Sequence, residues 1–183
     1  NSPAQAVANH IAYVPPDRHR QGIIRQLSIR FNLTLAVVRR LCRRGFVRRQ
    51  AEQALVDEYI EKLRIKCAGD AQKVTFLSGG NQQKVVIAKW LATKPSLLIL
   101  NDPTRGVDVG AKAEIYALIS ELACAGMAII ITSSEISEIL GMSDRILVLN
   151  EGVVSREFLR GQADQKSLLS AALVRADAPQ GGL

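Results

Sequence analysis

Aromatic side chains are scarce in this chain, at 4% of its 183 residues. That shortage argues against the stacking platforms on which single-stranded nucleic acids are held. Long apolar runs are missing too: none approaches the roughly 18 to 20 residues that cross a bilayer. The longest, around Ala128–Ile131 and Ile146–Leu149, have the length of strands. The N-terminal residues lack the basic-then-apolar pattern of a secretory signal. Cysteine is confined to Cys42, Cys67 and Cys124, an odd number with no CxxC spacing, so free thiols in a reducing cytosol are expected. If the protein works at a membrane, it does so through a partner.

What is present suits an α/β domain. At 48% hydrophobic, the chain can bury a substantial core. Ser2-Pro3 reads as an N-cap with proline at the first helical position, opening a short helix through Ala8. Ile11 to Val14 reads as a strand stopped by Pro15-Pro16. Residues 27 to 66 are helical in pattern, with a break near Gly45 and an amphipathic stretch from Ala51 to Leu63. Val85 to Ala92 reads as a buried helix. Leu97 to Leu100, four aliphatics in a row, suits a strand buried on both faces of a parallel sheet. A helix from about Gly110 to Ala123 stops before Gly126. Met127 to Thr132 is the next expected buried strand, and Glu135 to Leu140 a short helix. Arg145–Leu149 and Val153–Phe158 suit a hairpin turning at Asn150-Glu151-Gly152. Lys166 to Val174 is a last helix, followed by a frayed Ala-Pro-Gln-Gly-Gly tail.

Two short stretches hold most of the chemical information. Residues 77 to 84 read Leu-Ser-Gly-Gly-Asn-Gln-Gln-Lys, with a serine and two glycines just ahead of the buried helix. Unpaired amides and the helix dipole make such a start a place for anions. Glycines let a phosphate approach the backbone closely, and the serine hydroxyl adds a donor. The plainer alternative is an ordinary serine N-cap and a loose turn. The second stretch, Leu97 to Asp108, ends its aliphatic run in Asn-Asp-Pro-Thr-Arg-Gly-Val-Asp. In open α/β sheets, ligands sit beyond such a carboxyl edge.

The octapeptide resembles the signature motif of ABC-type ATPases. The 97–108 stretch resembles their Walker B strand, which ends Asp-Glu-Pro-Thr and runs into a D-loop aspartate. The spacing between the two also matches. The resemblance covers nearly the whole chain and implies a partial RecA-like P-loop ATPase core, with a mostly parallel sheet and an inserted α-helical subdomain. It divides the chain into a Q-loop region (1–26), a helical subdomain with the signature (27–93), a Walker B, D-loop and switch half of the core (94–163), and a C-terminal helix and tail (164–183). Asn81, Pro-x-Asp-Arg near residue 16, Thr-Arg-Gly-Val-Asp-Val-Gly-Ala-Lys and Ser-Ser-Glu before Leu-Gly-Met-Ser-Asp-Arg-Ile narrow the likeness. Together they look like the second nucleotide-binding domain of the duplicated ATPase subunit of sugar importers, the group handling ribose, galactose and xylose. The implied cofactors are ATP and Mg²⁺. The implied partners are an N-terminal nucleotide-binding domain of the same subunit, membrane permease subunits and, indirectly, a periplasmic solute-binding protein. The implied place is the cytoplasmic face of the bacterial inner membrane, with no nucleic acid expected.

Against that pattern, several positions depart. No glycine begins G-x-x-x-x-G-K-[ST], the loop whose amides and lysine hold phosphates; the simplest expectation is that the portion bearing it precedes Asn1. Asn101 stands at the Walker B aspartate position, where an uncharged amide is a poorer partner for Mg²⁺. Asp102 stands at the catalytic glutamate position, shorter by about 1.5 Å. Ser134 occupies the switch histidine position, and Pro16 a place where glutamine or glutamate is usual. The domain's own Walker site is therefore expected to hydrolyse ATP poorly. The signature is complete: Ser78, Gly79, Gly80, Asn81 and Gln82 are expected to serve, in trans, an ATP held by another domain. Asp108, as the D-loop residue, is expected at that interface, with an N-cap role compatible.

The net charge of +7 and the cluster Arg39, Arg40, Arg43, Arg44, Arg48 and Arg49 admit other readings. These are a soluble ABC-type ATPase acting on nucleic acid or ribosomes through phosphate contacts, a solvated helix face, or a surface near a permease and anionic lipid headgroups. A non-functional truncated gene product is a further alternative.

Overall fold

Residues 2–173 are described by a computed structural model. The chain divides between Thr132 and Ser133 into two compact units. Val174 and the expected frayed tail lie outside the described residues.

The first unit opens with α1 (Pro3–Ala8), whose start is a full capping box. Ser2 Oγ accepts from the Gln5 amide at 3.3 Å while Gln5 Oε1 accepts from the Ser2 amide at 2.9 Å. β1 (Ile11–Val14) follows, then a wide π-type turn at Arg18–Gly22 and α2 (Ile29–Thr34). A 3₁₀ turn at Leu35–Val37 leads into α3 (Val38–Leu41). The break anticipated at Gly45 is a small antiparallel ribbon of β2 (Cys42–Arg43) and β3 (Phe46–Val47), not a gap between two helices. α4 (Arg49–Lys62) then leads through a loop to α5 (Gly79–Leu91), β4 (Leu97–Asn101), α6 (Val109–Cys124) and β5 (Ala128–Thr132).

The sheet of this unit runs β1-β4-β5, all parallel. Its register pairs Ala12 with Leu98 and Val14 with Leu100, a face that is wholly buried. The buried helix α5 packs against β1 and α6, and α2 packs between α4 and α5. Leu98 and Leu100 are buried, but Leu97 and Ile99 on the opposite face are only half-buried. The expectation of a strand buried on both faces is corrected accordingly. The run of aliphatics reads as two-sided, but Leu97 and Ile99 keep part of their surface uncovered. β5 likewise is not the buried strand its composition suggests. It lies at the sheet edge, and Ile130, paired with Ile99, is 49% exposed.

Inside the helical part, Ile29, Leu33 and Val56 are fully buried. Buried Asn32 ties down the chain before α2: its Oδ1 accepts from the Ile24 amide at 2.7 Å, and its Nδ2 donates to the Ile24 carbonyl at 3.1 Å. A buried amide with these partners escapes the desolvation penalty it would otherwise suffer. Two of the clustered arginines are committed to the fold. Arg40 donates to the Ala92 carbonyl at 2.8 Å, and Arg48 to the Arg40 carbonyl at 3.3 Å. Arg43 and Arg44, by contrast, lie exposed on the β2–β3 ribbon beside Phe46. Cys42, Cys67 and Cys124 are free thiols, as expected.

The second unit holds α7 (Ile136–Met142), β6 (Arg145–Asn150), β7 (Val153–Leu159) and α8 (Gln165–Leu173). β6 and β7 form the anticipated antiparallel hairpin. Its turn places Glu151 and Gly152 at φ 49° and 82°, the left-handed pair that suits the twist of a tight hairpin. Ile146, Phe158, Leu168 and Ala171 make a small core, with Ile136, Ile139 and Leu140 packed on it. Among the described residues no helix is long and apolar enough to cross a membrane.

Candidate functional site

The glycines of residues 77–84 do not precede the helix; they begin it. α5 starts at Gly79, with Ser78 as its N-cap at φ −61°, ψ 158°. Ser78 Oγ accepts from the Asn81 amide at 3.4 Å and from Asn81 Nδ2 at 2.9 Å. Both bonds end on the oxygen, which leaves the hydroxyl hydrogen available to donate. As the first helical residues, Gly79 and Gly80 have amides with no intrahelical acceptor. Ser78 itself is exposed. Asn81 also accepts from the Lys66 amide at 2.8 Å, tying the preceding loop to the helix start.

Close packing supplies a second reason for the two glycines. A Cβ on Gly80 would stand 2.4 Å from the Ala111 Cβ on α6. A Cβ on Gly79 would stand 2.9 Å from an Arg18 guanidinium nitrogen and 3.0 Å from the Gly106 carbonyl oxygen. Gln82 is buried, and its amide donates to the carbonyls of Leu77, at 3.1 Å, and Val74, at 3.3 Å. Ser78 to Gln82 thus form one tightly held turn with its polar groups directed outward at Ser78.

At the carboxyl end of β4 the polar groups bond to one another across the strand ends. Asn101 Nδ2 donates to the Tyr13 hydroxyl at 3.3 Å, and its Oδ1 accepts from the Thr132 hydroxyl at 2.9 Å. One amide thereby bridges the ends of all three strands. Asp102 follows with φ 45°, a left-handed backbone that aspartate tolerates better than most residues. Its amide donates to the Thr132 carbonyl at 2.8 Å, and its carbonyl accepts from the Arg105 amide at 3.1 Å. Asp108 is the N-cap of α6, its Oδ1 accepting from the Ala111 amide at 2.9 Å. The cap anticipated for it is present.

Ser134 belongs to the second unit, exposed in the segment before α7. Its neighbour Ser133 donates to Glu138 and accepts from the Glu135 amide at 2.9 Å, steadying the start of that helix. Pro16 is half-buried in the segment between β1 and the Arg18–Gly22 turn.

The first unit therefore brings Ser78–Gln82 and Asp108 together through Gly80 and Ala111, and sets Asn101 and Asp102 at the sheet edge. Among the described residues no group of three or more His, Cys, Asp or Glu side chains could hold a metal ion. Asn101 does not fit a direct Mg²⁺ ligand, because both ends of its amide are already bonded and it bears no charge. The Ser78 turn does fit a phosphate: an exposed hydroxyl and two unpaired first-turn amides form a donor set.

The sequence reading did not foresee the contacts of four residues here, Arg18, Tyr13, Thr132 and Ala111, although Arg18 and Ala111 lie in quoted motifs. Their positions mattered only once strands and helices 30 or more positions apart were in contact, as with Asn101 and Thr132 (|i−j| of 31).

The profile of a family described as "ABC transporter" matches residues 2–105. The ribose import ATP-binding protein RbsA of Jannaschia sp. (strain CCS1) is 50% identical over 171 residues, 93% of this chain and 33% of that protein. The xylose import ATP-binding protein XylG of Burkholderia cenocepacia (strain HI2424) is 49% identical over 172 residues, 94% of this chain and 33% of that protein. The chain thus spans about a third of the length of these relatives. Among solved structures, the ATP-binding cassette MJ1267 of an ABC transporter matches with a TM-score of 0.75 at 18% identity, covering 95% of this chain and 72% of that one. The cassette MJ0796, solved as a dimer in a post-hydrolysis state with ADP and Pi, matches with a TM-score of 0.69 at 23% identity, covering 87% of this chain and 67% of that one. These structural likenesses concern the fold.

Proposed function

The chain belongs to the ABC transporter family, and on that premise we propose that it is the signature-donating nucleotide-binding domain of a sugar importer's ATPase subunit. The observation that carries this reading is the contrast between the outward-facing Ser78 turn and the internally bonded Asn101. The similarity to ribose and xylose import ATP-binding proteins supports the solute class. In this reading residues 1–26 are the Q-loop region, 27–93 the helical subdomain, 94–163 the Walker B, D-loop and switch portion, and 164–183 the terminal helix and tail.

ATP, when bound, supplies the anhydride whose cleavage drives transport. The Ser78 hydroxyl and the Gly79 and Gly80 amides donate to its phosphate oxygens, with Asn81 and Gln82 holding that turn in shape. The phosphate-binding loop for this ATP belongs to a second nucleotide-binding domain of the same subunit. Asp108 lies at the junction of the two. Asn101 and Asp102 form a second, degenerate site: an amide without charge beside a carboxylate short of the usual glutamate reach. In the sequence pattern of the family, Ser134 stands where a proton-handling histidine is usual. A misplacement of about 1 Å can cost on the order of 100-fold in rate, so the chain gives little hydrolysis at its own Walker B end. The partners are permease subunits and, through them, a periplasmic solute-binding protein, at the cytoplasmic face of the inner membrane.

The test separates phosphate binding from capping at Ser78. Ser78→Asp keeps a good cap oxygen but sets a negative charge against the phosphate. In the intact subunit with its permease, it should cut ATP turnover about 100-fold while moving the melting temperature little. Asp102→Asn should change turnover less than about 2-fold. The reverse ranking would sink the asymmetric arrangement.

A further inference from the structure

Arg18 is a cation held where cations are seldom left, only 8% exposed and facing backbone carbonyls. Its Nη1 donates to the Arg105 carbonyl at 2.6 Å and its Nη2 to the Gly106 carbonyl at 2.8 Å. Its Nε points to Gln82 Oε1 at 3.4 Å. One planar fork therefore spans two consecutive carbonyls of the loop between β4 and α6, and touches the first turn of α5. Lysine, with a single ammonium, cannot reproduce that reach. The side chain also fills the space that a Cβ on Gly79 would need. Through Gln82 the link continues to the Leu77 and Val74 carbonyls, immediately ahead of Ser78.

The turn that aims Arg18 is itself fixed. Asp17 Oδ1 accepts from the amides of His19, at 3.0 Å, and Arg20, at 3.1 Å. The Ile23 amide closes the turn on the Arg18 carbonyl at 2.8 Å. Burial pulls the guanidinium below its ordinary pKa, opposed by the nearby Asp17 charge. It stays charged all the same, because an arginine starts far above neutral pH. Charge-assisted bonds of this kind are about twice as strong as neutral ones.

We propose that Arg18 is a positioning residue that fastens the loop Arg105–Asp108 and the Ser78 turn to the segment following β1, so that the three move as one body. This rests on the composite-site reading above for its catalytic consequence, but not for the link itself. Displacement of the segment after β1 would then be felt at the serine that meets the phosphate.

The experiment uses the intact ATP-binding subunit with its permease, and reads ATP turnover and amide hydrogen exchange. Arg18→Lys should lower kcat about 10-fold or more, in line with the sensitivity of rates to sub-ångström positioning, with the KM for ATP within about 2-fold. Exchange should rise together in peptides covering 77–82 and 105–108, while peptides from α4 stay as in the parent. Gln82→Leu removes the limb to α5 together with the Leu77 and Val74 bonds but leaves the Arg105 and Gly106 carbonyls held, and should raise exchange in 77–82 alone with a smaller loss in kcat. Should Arg18→Lys fail to fold, that second variant decides. Unchanged exchange in 77–82 and 105–108 for a folded Arg18→Lys protein, or unchanged exchange in 77–82 for Gln82→Leu, overturns the proposal. Ser78→Asp keeps the two ideas apart. If it retains full turnover, the composite-site reading has failed, and the exchange result still judges Arg18.

Discussion

The start of α5 and the end of β4 lie in the same unit and carry the same kinds of group, yet they spend them in opposite ways. At Ser78 the internal bonds arrive at the hydroxyl oxygen from Asn81, and the proton is left over for a ligand. At Asn101 both halves of the amide are consumed between Tyr13 and Thr132. The first arrangement keeps a donor in reserve on a rigid turn; the second uses a polar side chain to close the sheet end. On the proposed function, one motif keeps its donor for a ligand while the other serves the shape of the sheet end. The difference is read from who bonds to whom, not from residue type.

The largest effect that could break this contrast is at Gly80. Gly80→Ala gains about 1 kcal/mol of helix propensity, but its methyl would meet the Ala111 Cβ at 2.4 Å. Overpacking of this kind costs roughly 1 to 3 kcal/mol, and little can yield between two helix backbones. A net loss of up to about 2 kcal/mol is therefore expected in thermal or denaturant unfolding, along with a loss of turnover in the intact subunit. A variant as stable as the parent would show that the two helices are looser than drawn.

A smaller effect is expected at Asn101. Asn101→Asp keeps the acceptor for Thr132 and lets the Tyr13 hydroxyl rotate to donate, so stability should change by about 1 kcal/mol or less. Turnover should not rise, because Asp102 remains short. A gain in turnover would mean that the missing charge at 101 alone silences that end.

The smallest effect concerns pH. Hydrogen bonds from Lys84, then Lys66, hold the Glu114 carboxyl below its ordinary value. Between that lowered value and the unfolded one, the unfolded chain binds more protons, so stability rises with pH there and falls as acid reaches the folded value. Glu114→Gln should flatten this part of the acid unfolding profile, measured by melts at successive pH values. Identical acid slopes would remove Glu114 from the account. Because the carboxylate is substantially exposed, the change should be slight.

How much of this was legible in the sequence depended on how local the cause was. The capped α1, the strand at Ile11–Val14 and the hairpin turn at Glu151-Gly152 are set by neighbours a few residues away, and they stand where the sequence puts them. The signature and Walker B stretches were equally plain, since the motif is itself contiguous. The start of α5 was misplaced because glycines are poor helix formers, and only the close approach to α6 explains why they are used there. The exposure of Ile130 was hidden because a run of aliphatics does not say whether one face or two will be covered. Arg18 stood in the Pro-x-Asp-Arg marker, but nothing in the sequence gave its contacts. Its partners are carbonyls 87 and 88 positions away, and any residue can supply a carbonyl.

The near-contact between Gly80 and Ala111 also has a meaning for descent. With 2.4 Å between a would-be methyl and its neighbour, residues 80 and 111 are one choice made twice. On this geometry, lineages of this domain can enlarge position 80 only by trimming position 111. The pair should therefore drift together, and a substitution seen at one of them is best judged by what its companion has become.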